Sequence, residues 1–175
     1  SEKVKKEISR LYASISPEEI LTEHGATGGN QHIFFSLIRP GDRVIAFSPS
    51  YQQFYSAPEA LGAEVTVLRL RRENGYLPDL DELSRVAARG VRMICLNNPN
   101  NPTGSLIPAD MMADIVTIAR RAGAYLFCDE VYSGVSIDGA STPSVADLYE
   151  KGIATGSMSK AFSLAGLRLG WLATH

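Results

Sequence analysis

The sequence has little cysteine and no long apolar run, and both features narrow the classes of protein to which it can belong. Only two of the 175 residues are cysteines, Cys95 and Cys128, so the chain has room for one internal disulfide at most. Both lie in apolar segments that are typical of buried strands, and we therefore expect core thiols rather than a disulfide. No apolar run approaches the roughly 20 residues that a membrane-spanning helix needs.

Strong charge and metal-ligand spacing are also missing. The net charge is −2, which gives no bulk electrostatic attraction to nucleic acid or to an anionic membrane. Residues 1–6 are largely charged and no apolar block follows them, so no signal peptide is predicted and we expect a cytoplasmic protein. The histidines, His24, His32 and His175, have no metal-ligand spacing, so no metal site is predicted.

Apolar segments of strand and helix type alternate along the chain. Val4, Ile8 and Leu11 recur at helical spacing and predict a helix from Glu2 to Ala13. Strands are predicted at 20–22, 43–47, 64–69, 93–97, 125–129, 153–156 and 169–174, and further helices at about 30–38, 53–61, 79–88 and 108–121. This alternation predicts an α/β fold over residues 1–175, with a mostly parallel sheet and helices on both faces, in three layers.

Polar residues follow the predicted strands at the point where each one ends. Asn101, Asp129 and Ser157 all lie at or just after a predicted strand end. In sheets of this type ligands bind beyond the carboxyl ends of the strands. The sequence therefore predicts a binding site at this edge of the sheet.

The segment Ser157-Met158-Ser159-Lys160, with Arg168 eight residues later, has the chemistry for a Schiff base with an aldehyde that carries a phosphate. The lysine supplies the amine, while the hydroxyls and the guanidinium supply hydrogen bonds and charge for the phosphate. Surface lysines beside serines are common, so the segment becomes specific only through three motifs upstream.

These motifs are Gly28-Gly29-Asn30, Asn101-Pro102-Thr103-Gly104 and Asp129-Glu130-Val131-Tyr132. The glycine motif follows a predicted strand and is expected to open a helix, where free amides attract an anion, although a plain strand-to-helix turn explains it too. Asp129 ends an apolar strand, where a carboxylate is costly without a partner, although it could also cap the next turn.

The four motifs, in this order and spacing between about residues 20 and 171, resemble the class I and II aminotransferases. These are pyridoxal-phosphate enzymes of the aspartate aminotransferase fold (fold type I), usually homodimers. The resemblance implies a pyridoxal 5'-phosphate cofactor and transfer of an amino group between an amino acid and a 2-oxo acid. It implies no nucleic-acid or membrane partner.

The resemblance also assigns roles around the cofactor ring. Lys160 matches the lysine that forms the Schiff base and then moves a proton, and Asp129 matches the acid paired with the protonated ring nitrogen. Asn101 and Tyr132 match the residues that hydrogen-bond the ring oxygen. Tyr51 matches the stacking aromatic, although a core aromatic is the alternative and Phe54 and Tyr55 compete for the role.

For the phosphate, the resemblance implies the backbone of Gly28 and Gly29, with Asn30, and the side chains of Ser157 and Arg168. Ser159 is a weaker candidate, and relatives often have serine or alanine where Asn30 stands.

Family members are much longer than this chain, so the resemblance implies an incomplete large domain. We expect a phosphate-binding tyrosine of the neighbouring subunit and the arginine for the substrate α-carboxylate to lie outside it, and the 175-residue piece to be a poor catalyst alone. Other chemistry on the same fold, as in a C–S lyase, decarboxylase or oxidase, stays open. A pyridoxal-phosphate-binding regulator domain is a further alternative.

Overall fold

A single sheet, flanked by helices, organises the chain in a computed structural model that describes residues 1–136 and 139–175. The strands are β1 (Ile20–His24), β2 (Arg43–Ser48), β3 (Glu64–Arg69), β4 (Met93–Asn97), β5 (Tyr125–Asp129), β6 (Gly152–Ser157) and β7 (Leu169–Ala173). The α-helices are α1 (Glu2–Ser9), α2 (Gly25–Leu37), α3 (Gln53–Ala60), α4 (Leu80–Ala87), α5 (Ala109–Ala122) and α6 (Val145–Leu148).

The strand order in the sheet is β1-β7-β6-β5-β4-β2-β3. Strand β7 runs antiparallel to both of its neighbours, β1 and β6, and the other paired strands are parallel. The carboxyl ends of β1, β2, β4, β5 and β6 therefore meet at one edge of the sheet. The antiparallel last strand and the mostly parallel sheet confirm the predicted fold class.

The two faces of the sheet bury separate apolar cores. On β4, Ile94 and Leu96 pack in a core with residues from α1, α4, α5 and α6. Met93 and Cys95 point to the other face and pack with residues from α2 and α3. This alternation follows from the two-residue period of a strand, and it produces the three layers expected from the sequence. Both cysteines are buried free thiols, as expected.

Helix α1 is shorter than its apolar spacing predicts. It ends at Ser9 instead of Ala13, and Leu11 is 56% exposed. The backbone amides of Ala13 and Ser14 donate to the carboxylate of Asp147, at 3.0 and 2.8 Å. Tertiary hydrogen bonds thus replace the last helical turn. Helix α6 was not predicted, because four residues are too few to display a helical period.

Helix α2 begins at Gly25, earlier than the glycine motif predicts. Gly25 adopts φ +70°, and its amide donates to the carbonyl oxygen of Arg168 at 2.8 Å. His24 at the N-cap makes no side-chain capping bond, so the sequence has no capping residue that marks this start. Among the described helices, none is long and apolar enough to cross a membrane.

Candidate active site

A cleft of about 280 Å³ opens at the carboxyl edge of the sheet. It is lined by Ala26, Thr27, Tyr51, Asn97, Asn101, Asp129, Val131, Tyr132, Ser157, Ser159, Lys160, Ala165 and Arg168. Residues from five strand ends or the loops after them therefore meet in one place. Of the site residues predicted from the sequence, only Gly28, Gly29 and Asn30 do not line the cleft.

Asp129 forms the floor of the cleft at the end of β5 and is 4% exposed. Its Oδ1 accepts from the amide of Val131, and its Oδ2 accepts from the side-chain amide of Asn30, both at 3.1 Å. Burial raises the pKa of Asp129 from 3.8 to about 6, although the two hydrogen bonds and the charge of Lys160 oppose this rise. A cation close to the carboxylate would stabilise the ionised form of this buried acid.

Lys160 lies three residues beyond β6, with its amine at the cleft. The Nζ atom is 5.7 Å from the ring centroid of Tyr132. The turn that carries Lys160 is held by backbone bonds from Met158 to Leu169 at 3.0 Å and from Ser163 to Lys160 at 3.0 Å. The lysine is solvent-exposed, so its amine is open to a ligand that enters the cleft.

Arg168 faces the first turn of α2. Its Nη1 donates to the carbonyl of Ala165 at 3.0 Å and to Oγ of Ser159 at 3.4 Å. A β-carbon built on Gly25 would lie 2.5 Å from Nη2 of Arg168, so the guanidinium packs against the start of the helix. A cation at the positive end of a helix is unfavourable unless an anion shares the site. The arrangement therefore suits an anion that contacts both Arg168 and the start of the helix from the cleft.

The glycine motif is not at this helix start, which corrects its predicted position. Gly28 and Gly29 lie one turn into α2, where backbone amides are used in the hydrogen bonds of the helix itself. A β-carbon on Gly29 would lie 2.8 Å from the Leu172 side chain, so this glycine lets α2 pack closely on β7. Ala26 and Thr27, whose amides are in the first turn of α2, line the cleft instead, and the sequence analysis missed them. Gly25, the first glycine after β1, was the available indication.

Tyr51 lies at the mouth of the cleft and is 38% exposed. Its ring meets that of Phe54 edge-on, with 5.8 Å between centroids. Phe54 itself is completely buried, and Tyr55 packs against the same core. Of the three aromatics considered from the sequence, Tyr51 alone lines the cleft.

Asn101 is held at the cleft by Asn97, a residue that the sequence analysis did not single out. The amide of Asn101 donates to Oδ1 of Asn97 at 2.7 Å, and Nδ2 of Asn97 donates to the carbonyl of Asp129 at 2.9 Å. A second cavity of about 560 Å³ adjoins the cleft and shares Asn101 and Tyr132 with it. The cleft thus continues into a larger space on the side of these two residues.

The donor set fits a ligand with three parts. An anionic part would meet Arg168 and the first turn of α2, and a cationic part would meet the buried acid Asp129. The amine of Lys160 lies in the same cleft, in reach of a carbonyl carbon. Within residues 1–136 and 139–175, no group of His, Cys, Asp and Glu side chains is arranged to hold a metal ion.

The sheet order, with its antiparallel β7, and the cleft at the carboxyl edge define an α/β fold of the aspartate aminotransferase type. The family model for aminotransferase class I and II matches residues 1–175. The chain therefore belongs to this family of enzymes, as its four motifs predict.

Two solved structures illustrate the similarity. The chain superposes on a PLP-dependent aminotransferase from Streptococcus suis 89-1591 with a TM-score of 0.96 and 46% identity, covering 100% of this chain and 46% of that one. It superposes on N-succinyldiaminopimelate aminotransferase from Mycobacterium tuberculosis with a TM-score of 0.91 and 29% identity, covering 100% and 48% of the two chains.

Two curated relatives have similar coverage. LL-diaminopimelate aminotransferase from Syntrophobacter fumaroxidans is 33% identical over 156 residues, which is 87% of this chain and 40% of the relative. Aspartate aminotransferase from Pyrococcus horikoshii is 33% identical over 159 residues, 90% of this chain and 41% of the relative. The chain thus spans less than half the length of these relatives.

Proposed function

We propose that this chain is the cofactor-binding large domain of a pyridoxal-phosphate-dependent aminotransferase, which transfers an amino group between an amino acid and a 2-oxo acid. The observation that carries the proposal is the single cleft that contains the amine of Lys160, the buried carboxylate of Asp129 and the anion site at Arg168. The names of the relatives support the amino-group chemistry.

Pyridoxal 5'-phosphate, when bound, supplies an aldehyde that reacts with amines and a ring that withdraws electrons while its nitrogen is protonated. Asp129 would hold that proton in place, since a close ion pair at an effective dielectric near 20 is worth about 4 kcal/mol. Tyr132 and Asn101 would donate hydrogen bonds to the ring oxygen. The face of Tyr51 would cover the ring.

The phosphate would be held by the amides of Ala26 and Thr27, the side chains of Ser157 and Ser159, and the guanidinium of Arg168. These groups fix the cofactor at one end while Asp129 fixes the other. Lys160 would act as the acid and base that moves a proton at the substrate α-carbon, because it is exposed and lines the same cleft as Asp129 and Arg168.

The proposal is tested by replacing Lys160 in the full-length protein. Wild-type protein mixed with pyridoxal 5'-phosphate is expected to develop a visible absorption band, and borohydride is expected to fix the cofactor to a peptide that contains Lys160. Lys160→Ala removes the amine, so the band and the adduct are lost and transamination slows about 10³-fold or more. Absorption spectra, peptide mass spectrometry and steady-state rates measure these effects.

Lys151→Ala is the matched control, because Lys151 precedes β6 whereas Lys160 follows it. Its amine donates to the carbonyl of Gly123 at 2.9 Å, away from the cleft. The control is expected to keep both the band and the adduct. An adduct on a lysine other than Lys160, or no band in the wild type, would refute the proposed function.

We also propose that the enzyme is a homodimer, as is usual in the family. Support comes from the loop after Lys160, which exposes Phe162 by 44%, Leu164 by 45% and Leu167 by 61%, since clustered exposed apolar side chains mark contact surfaces. Light scattering of the full-length protein tests the dimer. Product analysis with a panel of amino acids separates transamination from elimination or decarboxylation on the same fold.

A further inference from the structure

Asn30 is a buried polar residue next to the cleft to which the proposed function assigns no role. It is completely buried in α2, and its side chain does not reach the cleft. Its Nδ2 donates to Oδ2 of Asp129 at 3.1 Å and to Oε1 of Gln53 at 3.2 Å. Asn30 therefore uses both of its N–H groups, one of them on the acid at the floor of the cleft.

Gln53 extends this contact to the other end of the site. It is the first residue of α3, and its Nε2 donates to the carbonyl of Thr27 at 3.1 Å. Thr27 lies in the first turn of α2, where the proposed phosphate amides are. A chain of three hydrogen bonds thus joins the anion-binding turn to Asp129 through Gln53 and Asn30.

The direction of the three bonds is set by chemistry. The carbonyl of Thr27 can only accept, so Gln53 must present its N–H₂ group there and its oxygen to Asn30. Asn30 must then donate to Gln53, and its second N–H points at Asp129. The chain therefore ends with a donor at the carboxylate, which favours the ionised form of Asp129.

The remaining atom of the Asn30 side chain supports a donor role. Its Oδ1 is buried and has no hydrogen-bond partner among the described residues. An unpaired buried oxygen is unfavourable, and an apolar side chain of similar size would avoid it. The unfavourable burial of this oxygen is therefore offset by the two hydrogen bonds that the side-chain N–H₂ group donates.

We propose that Asn30 and Gln53 are a positioning pair, which fixes the orientation of the Asp129 carboxylate and keeps it ionised for the cationic ring nitrogen of the cofactor. The inference rests on the proposed function for the identity of that cation. The hydrogen bonds of the pair are independent of the proposed function. Neither residue touches the reacting atoms.

The test measures the carboxyl pKa of Asp129 in cofactor-free full-length protein by carbon-13 NMR of labelled aspartate. Asn30→Leu removes the donated bond, so the pKa of Asp129 is expected to rise by about one unit, a tenfold shift in its proton affinity. Lys160, Glu130 and Cys128, the titratable groups that interact electrostatically with Asp129, stay unchanged in this variant. Affinity for pyridoxal 5'-phosphate is expected to fall at least about tenfold.

Gln53→Leu is the second variant. It keeps the hydrogen bond from Asn30 to Asp129 but removes the hydrogen bond from Asn30 to Gln53. The pKa rise is expected to be smaller than in Asn30→Leu, and the double variant is expected to show less than the sum of the two effects. Because Gln53 is only half-buried, this variant tests the pair even if Asn30→Leu does not fold.

Ile33→Ala is the control for a merely structural effect. Ile33 is buried on the same helix and packs in the apolar core, so its truncation lowers stability without touching Asp129. The pKa of Asp129 is expected to stay at its wild-type value in this variant.

An unchanged Asp129 pKa in both Asn30→Leu and Gln53→Leu would overturn the positioning role. The proposed function would still hold in that event, provided that the wild type forms the adduct at Lys160. If the wild type forms no adduct but the pKa rises as expected, the proposed function fails while the positioning pair is upheld.

Discussion

At the scale of single residues, Asp129 makes the stability of the cofactor-free protein depend on pH. Its pKa is raised by burial from 3.8 to about 6, and the pKa of its neighbour Glu130 is raised, again chiefly by burial, from 4.5 to about 7. Each folded acid keeps a proton that the unfolded chain has already lost. The contribution of these two acids to the free energy of unfolding is therefore full below about pH 4 and is lost as the pH rises through the folded pKa values.

Asp129→Asn is expected to flatten this dependence. A difference of about two pKa units corresponds to about 3 kcal/mol, so the wild type should lose up to that amount from Asp129 between about pH 4 and pH 7. The asparagine variant cannot ionise and should lose only the part that belongs to Glu130. Urea unfolding of the cofactor-free protein across this range measures both slopes, and equal slopes would contradict the assignment.

Single residues also differ in how far the sequence predicts them. Lys160 and Asp129 were predicted because each follows a recognisable strand within a family motif. The Asn30–Asp129 contact joins residues 99 positions apart and depends on α2 packing beside β5, which no local pattern specifies. Ala26 and Thr27 line the cleft from the first turn of α2, and they were missed because the sequence did not predict that α2 begins at Gly25.

At the scale of elements, β7 and α2 make a close backbone contact beside the cleft. A β-carbon on Gly170 would overlap the backbone of Gly25 and come within 2.6 Å of the amide nitrogen of Ala26. Gly170 therefore allows the first strand residues of β7 to lie directly against the helix start. The position of the proposed phosphate amides depends on this approach.

Gly170→Ala is expected to lower the free energy of unfolding by about 1–3 kcal/mol, because the added methyl group displaces backbone. It should also weaken binding of pyridoxal 5'-phosphate, since the amide of Ala26 moves. Gly166→Ala is the matched control, because nothing lies within 4 Å of a β-carbon there. Chemical denaturation and cofactor titration of both variants test the difference, and equal behaviour would argue against the close approach.

The strands are predicted better than the ends of the helices. The bounds of β3, β4 and β5 match the prediction, and for β4 and β5 the reason is that strands covered on both faces are continuous apolar runs. The ends of α1 and α2 were wrong because both are set by distant partners, Asp147 for the residues after α1 and Arg168 for the start of α2. Such partners lie outside any local window of sequence.

At the scale of the whole molecule, the N-terminal segment is tied to the last strand. The hydroxyl of Tyr12 accepts from the indole of Trp171 at 2.8 Å, across 159 positions of sequence. Trp171 is 3% exposed, and burial raises the pKa of Tyr12. The contact joins the two ends of the described chain over one face of the sheet.

Tyr12→Phe is expected to lower the free energy of unfolding by about 1–3 kcal/mol, because it leaves the buried indole N–H without its partner. Trp171 is the single tryptophan of the chain, so its fluorescence reports on this contact during urea unfolding. Tyr12→Phe should lower the free energy of unfolding much less when Trp171 is already replaced by Phe. Circular dichroism measures unfolding of these variants, which lack the tryptophan. Additive losses would show that the hydrogen bond is not the cause.

The position of β7 has a consequence for biosynthesis. Among the described strands β1 adjoins only β7, and Ile20 pairs with Ala173, so β1, which is synthesised before β7, stays unpaired until β7 has been made. The start of α2 also cannot be completed until Arg168 has been synthesised, since the amide of Gly25 donates to the carbonyl of Arg168. A nascent chain that stops before β7 therefore has Asp129 but not the contacts that fix the start of α2, and the proposed cofactor would stabilise only chains whose translation has passed that strand.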